Sequence, residues 1–245
     1  MGRAGARVVG TLTPDRGSCR APVTFRFTME RISEGLHASP PFDFFGGSSL
    51  RARAYLLKRP QGNVVLYAAT ALDGQLDELR ELGGVAHQYL NHAHEASPVA
   101  AELRSAFGAP LHVHAADAAE VAETVSVDET FDERHRVDDD LEVVPIPGHT
   151  PGATAFLWHG PDGRALFTGD TIYVRDDEWI AAVLDGVSDR ADYLASLELL
   201  AGLEFDLLVP GFASVDRPPV YPTDRVDARR RIEAIAARLR AGGDR

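Results

Sequence analysis

Three short stretches carry residues whose types and spacing could do chemistry. In "YLNHAHEASP", His92 and His94 stand two apart and are followed by Glu95, Ala96, Ser97 and Pro98. On an extended segment, residues two apart share a face with Cα atoms ~6.6 Å apart, so two imidazoles so spaced can converge on one ion at ~2.0–2.1 Å. In "PIPGHTPGAT", His149 follows a strand and a glycine and is flanked by two prolines, a rigid turn that holds an imidazole at a strand end. In "ALFTGDTIY", Asp170 again follows a strand and a glycine. Histidines and a carboxylate at neighbouring strand ends build a nitrogen- and oxygen-rich metal site. A second HxH, His112-Val113-His114, lies inside an apolar strand with no carboxylate or glycine turn beside it and reads as structural.

The elements that must position these residues alternate strands with helices. Strands are expected over 52–58 and 64–68, joined by a turn at Arg59–Asn63, then a helix in "DGQLDELREL" capped by Asp73 and stopped by Gly83-Gly84. "VAHQYLN" is a strand leading into the histidine pair. Ser97 and Pro98 then open a helix that Gly108 ends, "PLHVHA" is a strand, and "DAAEVAETV" is a short helix. The second half repeats the rhythm: strands in "LEVVPIPG", "ATAFLWHG" and "RALFTGD", a helix over 189–202, the strand "DLLVPG", and a closing helix "RVDARRRIEAIAARLR". Two rounds of strands followed by helices imply an α/β sandwich of similar halves. Residues 1–28 read as a weakly structured extension and 29–245 as a single domain.

The chain of 245 residues is 44% hydrophobic and 25% charged, ordinary for a globular protein. Its net charge of −12 argues against a nucleic-acid partner and against adhesion to an anionic membrane. One cysteine, Cys19, excludes an intrachain disulfide. No run is long or apolar enough to span a membrane, and the N-terminus lacks the apolar core of a signal peptide, so a cytoplasmic protein is expected. A homodimer is compatible with this composition.

The order HxH, "PGHTPG", "FTGDT" and a "VPG" strand end before a C-terminal helix resembles the metallo-β-lactamase superfamily, in particular its glyoxalase II-like hydrolase branch, over about residues 29–240. The resemblance implies an α/β fold, the four-layer αββα sandwich, with a metal site at one edge of the two sheets. Matched residue by residue, it makes His92, His94 and His149 the first-site histidines and Asp170 the carboxylate that bridges two metals in many members. It also marks departures. The usual HxHxDH has Ala96 and Ser97 where the second site's Asp and His belong, Phe212 follows "PG" where a last histidine belongs, and "VVLYAAT" lacks an early aspartate.

One divalent metal ion is therefore expected, zinc first and iron as the alternative, held by His92, His94 and His149 with Asp170 as a fourth ligand or water orienter. The implied activity is hydrolysis of a small ester, thioester or lactone by a mononuclear metal-bound hydroxide. Two alternatives stand. Within the superfamily, persulfide dioxygenases hold one iron through the residues matching His92, His149 and Asp170, which suits a non-haem iron thiol oxygenase. A scaffold that kept the fold without catalysis is the other. Glu95 would reach the site only if the chain turns there; otherwise it is a surface carboxylate near a helix N-terminus. For substrate binding, Tyr173 and Trp179 are placed at the site mouth, Phe212 on the side of the missing histidine, and Phe45 in a flap, "FDFFGG".

Overall fold

Alternation of apolar side chains along the central strands decides the architecture. The computed structural model describes residues 28–43, 46–67 and 69–243. Its first half runs β1 (Glu30–Arg31), β2 (Leu36–Ala38), β3 (Leu50–Ala52), β4 (Tyr55–Leu57), β5 (Val64–Leu66), α1 (Leu76–Glu81), β6 (His87–Tyr89), α2 (Val99–Phe107), β7 (Leu111–His114), α3 (Ala118–Ala122), β8 (Glu129–Phe131) and β9 (His135–Arg136). The second half runs β10 (Leu141–Pro145), β11 (Thr154–Gly160), β12 (Gly163–Gly169), β13 (Tyr173–Arg175), β14 (Glu178–Ile180), α4 (Arg190–Ala201), β15 (Leu207–Pro210), β16 (Phe212–Ser214), β17 (Tyr221–Pro222) and α5 (Arg225–Arg240).

Among the described residues the strands form a sheet in the order β1-β2-β4-β5-β6-β7-β8, a second in the order β17-β15-β12-β11-β10-β9, and a small third sheet, β14-β13-β16-β3. Successive residues of a strand face opposite ways, and here both faces are apolar. In the first sheet, Leu56 and Val65 pack outward with Leu79 of α1, Leu103 of α2 and Val121 of α3. Their neighbours Tyr55, Leu57, Val64 and Leu66 pack inward against Phe156, Phe167 and Val209 of the second sheet. The second sheet's outward residues Leu157, Leu166 and Leu208 meet Leu197 of α4 and Ile232 and Leu239 of α5. Helices, sheet, sheet, helices: this is the αββα sandwich.

Local signals behave as their chemistry requires. Gly108, left-handed at φ 73, closes α2, and the Asp189 and Asp224 carboxylates accept backbone N–H bonds at the starts of α4 and α5. Asp73 does not cap α1. The chain first makes a 3-10 turn over Ala69–Leu72, and the helix starts at Leu76 behind Gln75 without a side-chain cap. The strand expected over 52–58 is also broken. Arg53 N donates to Gly211 O at 3.1 Å and Ala54 N to Ser39 Oγ at 3.0 Å, so β3 joins the small sheet and β4 the first. The hairpin β13–β14 was not expected; it turns at Asp176 and Asp177, whose φ angles are 50 and 69. Of the expected N-terminal extension, residues 1–27 lie outside the described residues, as does Cys19. No helix among the described residues is long and apolar enough to cross a membrane.

Parallel pairing sets the working edge. β5, β6 and β7 run parallel, and so do β12 and β15, with β10 aligned to them through the antiparallel β11. The segments after β6, β10 and β12 therefore emerge together, and they carry the histidine pair, His149 and Asp170. Thr154 N donates to Asn91 O at 2.8 Å, tying the two sheets at this edge.

Candidate metal centre

After β6 the chain turns sharply, with a 3-10 turn over Ala93–Glu95. His92 and His149 are buried, while the His94 side chain is 33% exposed and Asp170 20%. The ring centroids of His92 and His149 lie 4.6 Å apart, those of His92 and His94 5.1 Å, and those of His94 and His149 5.8 Å, all nearly perpendicular. Nitrogens of the three lie within 4.8 Å of one another, close enough to share an ion.

The hydrogen bonds fix which nitrogens are free. Asn91 Nδ2 donates to the carbonyl of Thr154, so its Oδ1 is the acceptor, and Asp170 N donates to that Oδ1 at 3.2 Å. His92 Nδ1, 2.9 Å from the same Oδ1, must then be the protonated nitrogen. His149 Nδ1 likewise donates to Ala182 O at 2.6 Å. Both Nε2 atoms are left as bare acceptors, and His149 Nε2 is buried with no hydrogen-bond partner. Each faces a third acceptor: Asp170 Oδ2 is 3.5 Å from His92 Nε2 and 3.8 Å from His149 Nε2. Two bare imidazole nitrogens and a carboxylate converging in this way are the pattern a cation resolves, so the residues present fit a metal ion. His94 Nε2 lies 3.7 Å from the Glu120 carboxylate.

Burial keeps the two inner imidazoles neutral, the form in which they can bind a cation. It pushes His92 well below the ordinary imidazole value, with His149 and His94 adding to the effect, and lowers His149 to about 4. The same burial works against the ionised carboxylate, raising Asp170 to about 7, and a cation beside it would offset that.

Glu95 is not a surface carboxylate. It is buried, its Oε2 accepts from Asn91 N at 2.6 Å, and its Oε1 lies 3.8 Å from His92 Nδ1. Burial, then the nearby Asp170, raise it well above the usual carboxylate range. One of its oxygens, with His92 and Asp170, forms a second set of groups within 4.8 Å.

The family model described as the metallo-β-lactamase superfamily matches residues 73–211, which contain all of these groups. The chain belongs to the metallo-β-lactamase superfamily. No curated protein matches it in sequence. Among solved structures it is similar to a metallo-β-lactamase from Pontibacter korlensis, with 16% identity over 86% of this chain and 98% of that one and a TM-score of 0.66. A metallo-β-lactamase from Elizabethkingia meningoseptica shares 15% identity over 97% of both chains, with a TM-score of 0.62. A class B3 di-zinc metallo-β-lactamase from an Alaskan soil metagenome shares 18% identity over 88% and 94%, with a TM-score of 0.62. At these identities the likeness is one of fold.

The positions that the resemblance assigned to a second metal hold Ala96, Ser97 and Phe212. Ala96 offers no ligand atom, and the Ser97 hydroxyl accepts from Val99 N at 3.3 Å at the start of α2. Phe212 is buried and stacks on Tyr173 at 4.5 Å between centroids. These two rings share a cluster with Leu50, Ala52 and Ile180. The cluster adjoins the candidate centre, because Ala182, whose carbonyl holds His149, packs against it. Trp179, expected at the mouth, lies elsewhere. Its position in β14 is out of phase with Tyr173 and Ile180, so it faces the helices, stacks near Phe205 and lies under Arg231 of α5. Phe45 lies outside the described residues.

Several residues around the centre were not singled out from sequence. Asn91 stood beside the HxH as an unremarked polar neighbour. Tyr67 belongs to "VVLYAAT", the stretch without the early aspartate: at φ 74 it adopts a conformation that costs about 1–3 kcal/mol. Its hydroxyl donates to Val209 O at 2.6 Å and accepts from Gly169 N at 2.9 Å, bracing the turn before Asp170. Gly169 must be glycine, since a Cβ there would lie 2.0 Å from the Asn91 side chain. Asp117, read only as the start of a short helix, is buried against both histidine-bearing turns.

Proposed function

We propose that this protein is a hydrolase working with one metal ion, zinc expected, on a small ester, thioester or lactone. The convergence of His92 Nε2, His149 Nε2 and Asp170 Oδ2, with no donor between them, carries the reading. His92, His94 and His149 would hold the ion, and Asp170 would complete the set or orient water beside it. When bound, the ion would act as a Lewis acid and bring the pKa of a coordinated water from ~16 toward ~7. Asn91 Oδ1 and Ala182 O keep the two buried imidazoles in the tautomer that presents Nε2 inward. Asp170, one fifth exposed, offers oxygens that can take a proton or fix the direction of attack. Tyr173 and Phe212 supply an apolar wall where related sites would place a ligand, favouring a substrate with an apolar group there.

A second reading has a specific observation behind it. Asp170 lies near both His92 and His149, and two histidines with one carboxylate suit non-haem Fe(II) and an oxygenase acting on a thiol or persulfide.

Elemental analysis of protein purified without added metal, followed by activity on a panel of nitrophenyl esters, thioesters and lactones, tests the proposal. The expected result is about one zinc per chain and turnover that a chelator abolishes and zinc restores. Iron with oxygen uptake on thiols would move the reading to the oxygenase. A chain that takes up neither metal after reconstitution would leave only a non-catalytic scaffold.

A further inference from the structure

The histidine pair belongs to the first sheet and His149 to the second, so the geometry of the centre depends on how two separate turns are held relative to each other. Asp117 touches both. It lies at the start of α3, on neither turn, and is 4% exposed. Its Oδ2 accepts from Ala93 N, between the paired histidines, at 2.9 Å. The same oxygen accepts from Thr150 Oγ1, next to His149, at 2.8 Å. Its Oδ1 accepts from Gly152 N, three residues past His149, at 2.8 Å. Gly152 explains itself by this contact: a Cβ there would lie 2.5 Å from Asp117 Cγ and 2.6 Å from Oδ1. The second glycine of "PGHTPG" thus leaves room for a carboxylate from a distant segment.

We infer that Asp117 is a positioning residue that locks the two histidine-bearing turns together and sets the metal affinity of the centre. The inference rests on the metal reading above. A carboxylate suits the task because the three groups around it all donate, and a carboxylate has acceptor capacity for all of them. Asparagine has nearly the same shape but must turn an NH2 toward a donor, leaving that donor unpaired and pushing one turn away. Outer partners of metal ligands typically change affinity by about 10–100-fold when removed.

The test compares Zn(II) affinity, by competition with a chromophoric chelator, and the visible spectrum of the Co(II)-loaded protein, for wild type, Asp117→Asn, Thr150→Val and Asp140→Asn. Asp140 pairs with Arg59 at the opposite edge and serves as a purely structural control. Asp117→Asn should weaken Zn(II) by about 10–100-fold and alter the Co(II) bands. Thr150→Val, losing one of the three bonds, should weaken it by a few-fold. Asp140→Asn should lower the melting temperature and leave affinity and spectrum unchanged. Wild-type affinity and spectrum in Asp117→Asn would overturn the inference, as would an equal loss in Asp140→Asn. If Asp117→Asn does not fold, Thr150→Val decides, and an unchanged affinity there overturns it. A wild-type chain that binds neither Zn(II) nor Co(II) would instead remove the metal reading itself.

Discussion

The chain holds two HxH pairs, and the structure gives them opposite surroundings. His112 and His114 lie within β7, where the strand is flanked on both sides by paired neighbours. His112 stacks on Tyr89 at 4.3 Å, its Nε2 lies 2.9 Å from His87 Nδ1, and its Nδ1 lies 3.4 Å from the Glu129 carboxylate. His114 is turned to Phe131 and accepts from Ala116 N at 3.2 Å. Both His112 nitrogens and His114 Nδ1 are spent on local partners. His92 and His94 lie just past a strand end, where the chain turns and a third imidazole arrives from the other sheet. Each buried imidazole there has one nitrogen satisfied and the other left bare. Spacing alone is thus a weak indicator of a metal site; what separates the pairs is whether a distant segment brings more acceptors to the unspent nitrogens.

The largest effect should come from removing that distant arrival. His149→Ala should lose metal through dialysis and lose turnover, whereas His112→Ala should keep both; elemental analysis and the ester panel on the two variants check this. Metal loss in His112→Ala, or retention in His149→Ala, would erase the distinction between the pairs.

A smaller effect is expected from rebuilding what the second site lacks. Phe212→His alone should leave the stoichiometry at about one ion, because Ala96 and Ser97 still supply no ligand. The triple variant Ala96→Asp, Ser97→His, Phe212→His should bind a second equivalent of zinc, read by titration calorimetry, if the backbone still has the superfamily's geometry. Failure of a well-folded triple variant to take a second ion would show that the frame has drifted as well as the side chains.

The smallest effect concerns the pair read as structural. Burial lowers His112 from its ordinary 6.5 to about 4 in the folded protein. The unfolded chain therefore takes up a proton at His112 that the folded chain resists, and stability falls as the pH drops from about 6.5 to about 4. Urea unfolding at pH 7 and pH 5 should show a shallower loss for His112→Gln than for wild type, with metal content unchanged. The substitution itself should cost on the order of 1 kcal/mol at pH 7 through the lost stacking on Tyr89.

Much of the fold was legible because its elements announce themselves locally. The closing helix matches α5, with Ile232, Ile235 and Leu239 at helical spacing, and the Gly108 stop and the strands before His92, His149 and Asp170 lie where the patterns put them. The small third sheet was not legible. Its strands are short, and β16 follows β15 after a single glycine, so the change of sheet leaves no pattern in hydrophobicity. The same limit explains Trp179: one position along β14 moves a side chain from the site side to the helix side, and only the pairing register settles which. Asp117 escaped notice because its three partners are two backbone N–H groups and a hydroxyl, none of which marks itself in sequence.

By itself the sequence determined which chemistries were available: three imidazoles and a carboxylate at strand ends, with Ala96, Ser97 and Phe212 where the resemblance expects a second metal's ligands. Those are properties of side-chain composition and local turns, and they hold before the chain folds. Only the tertiary structure decided which nitrogens remain free, that Glu95 is buried beneath the turn, and that a carboxylate from α3 joins the two histidine-bearing loops. Hydrogen-bond partners and burial are set by segments far apart in the chain, and their meeting depends on packing two sheets face to face.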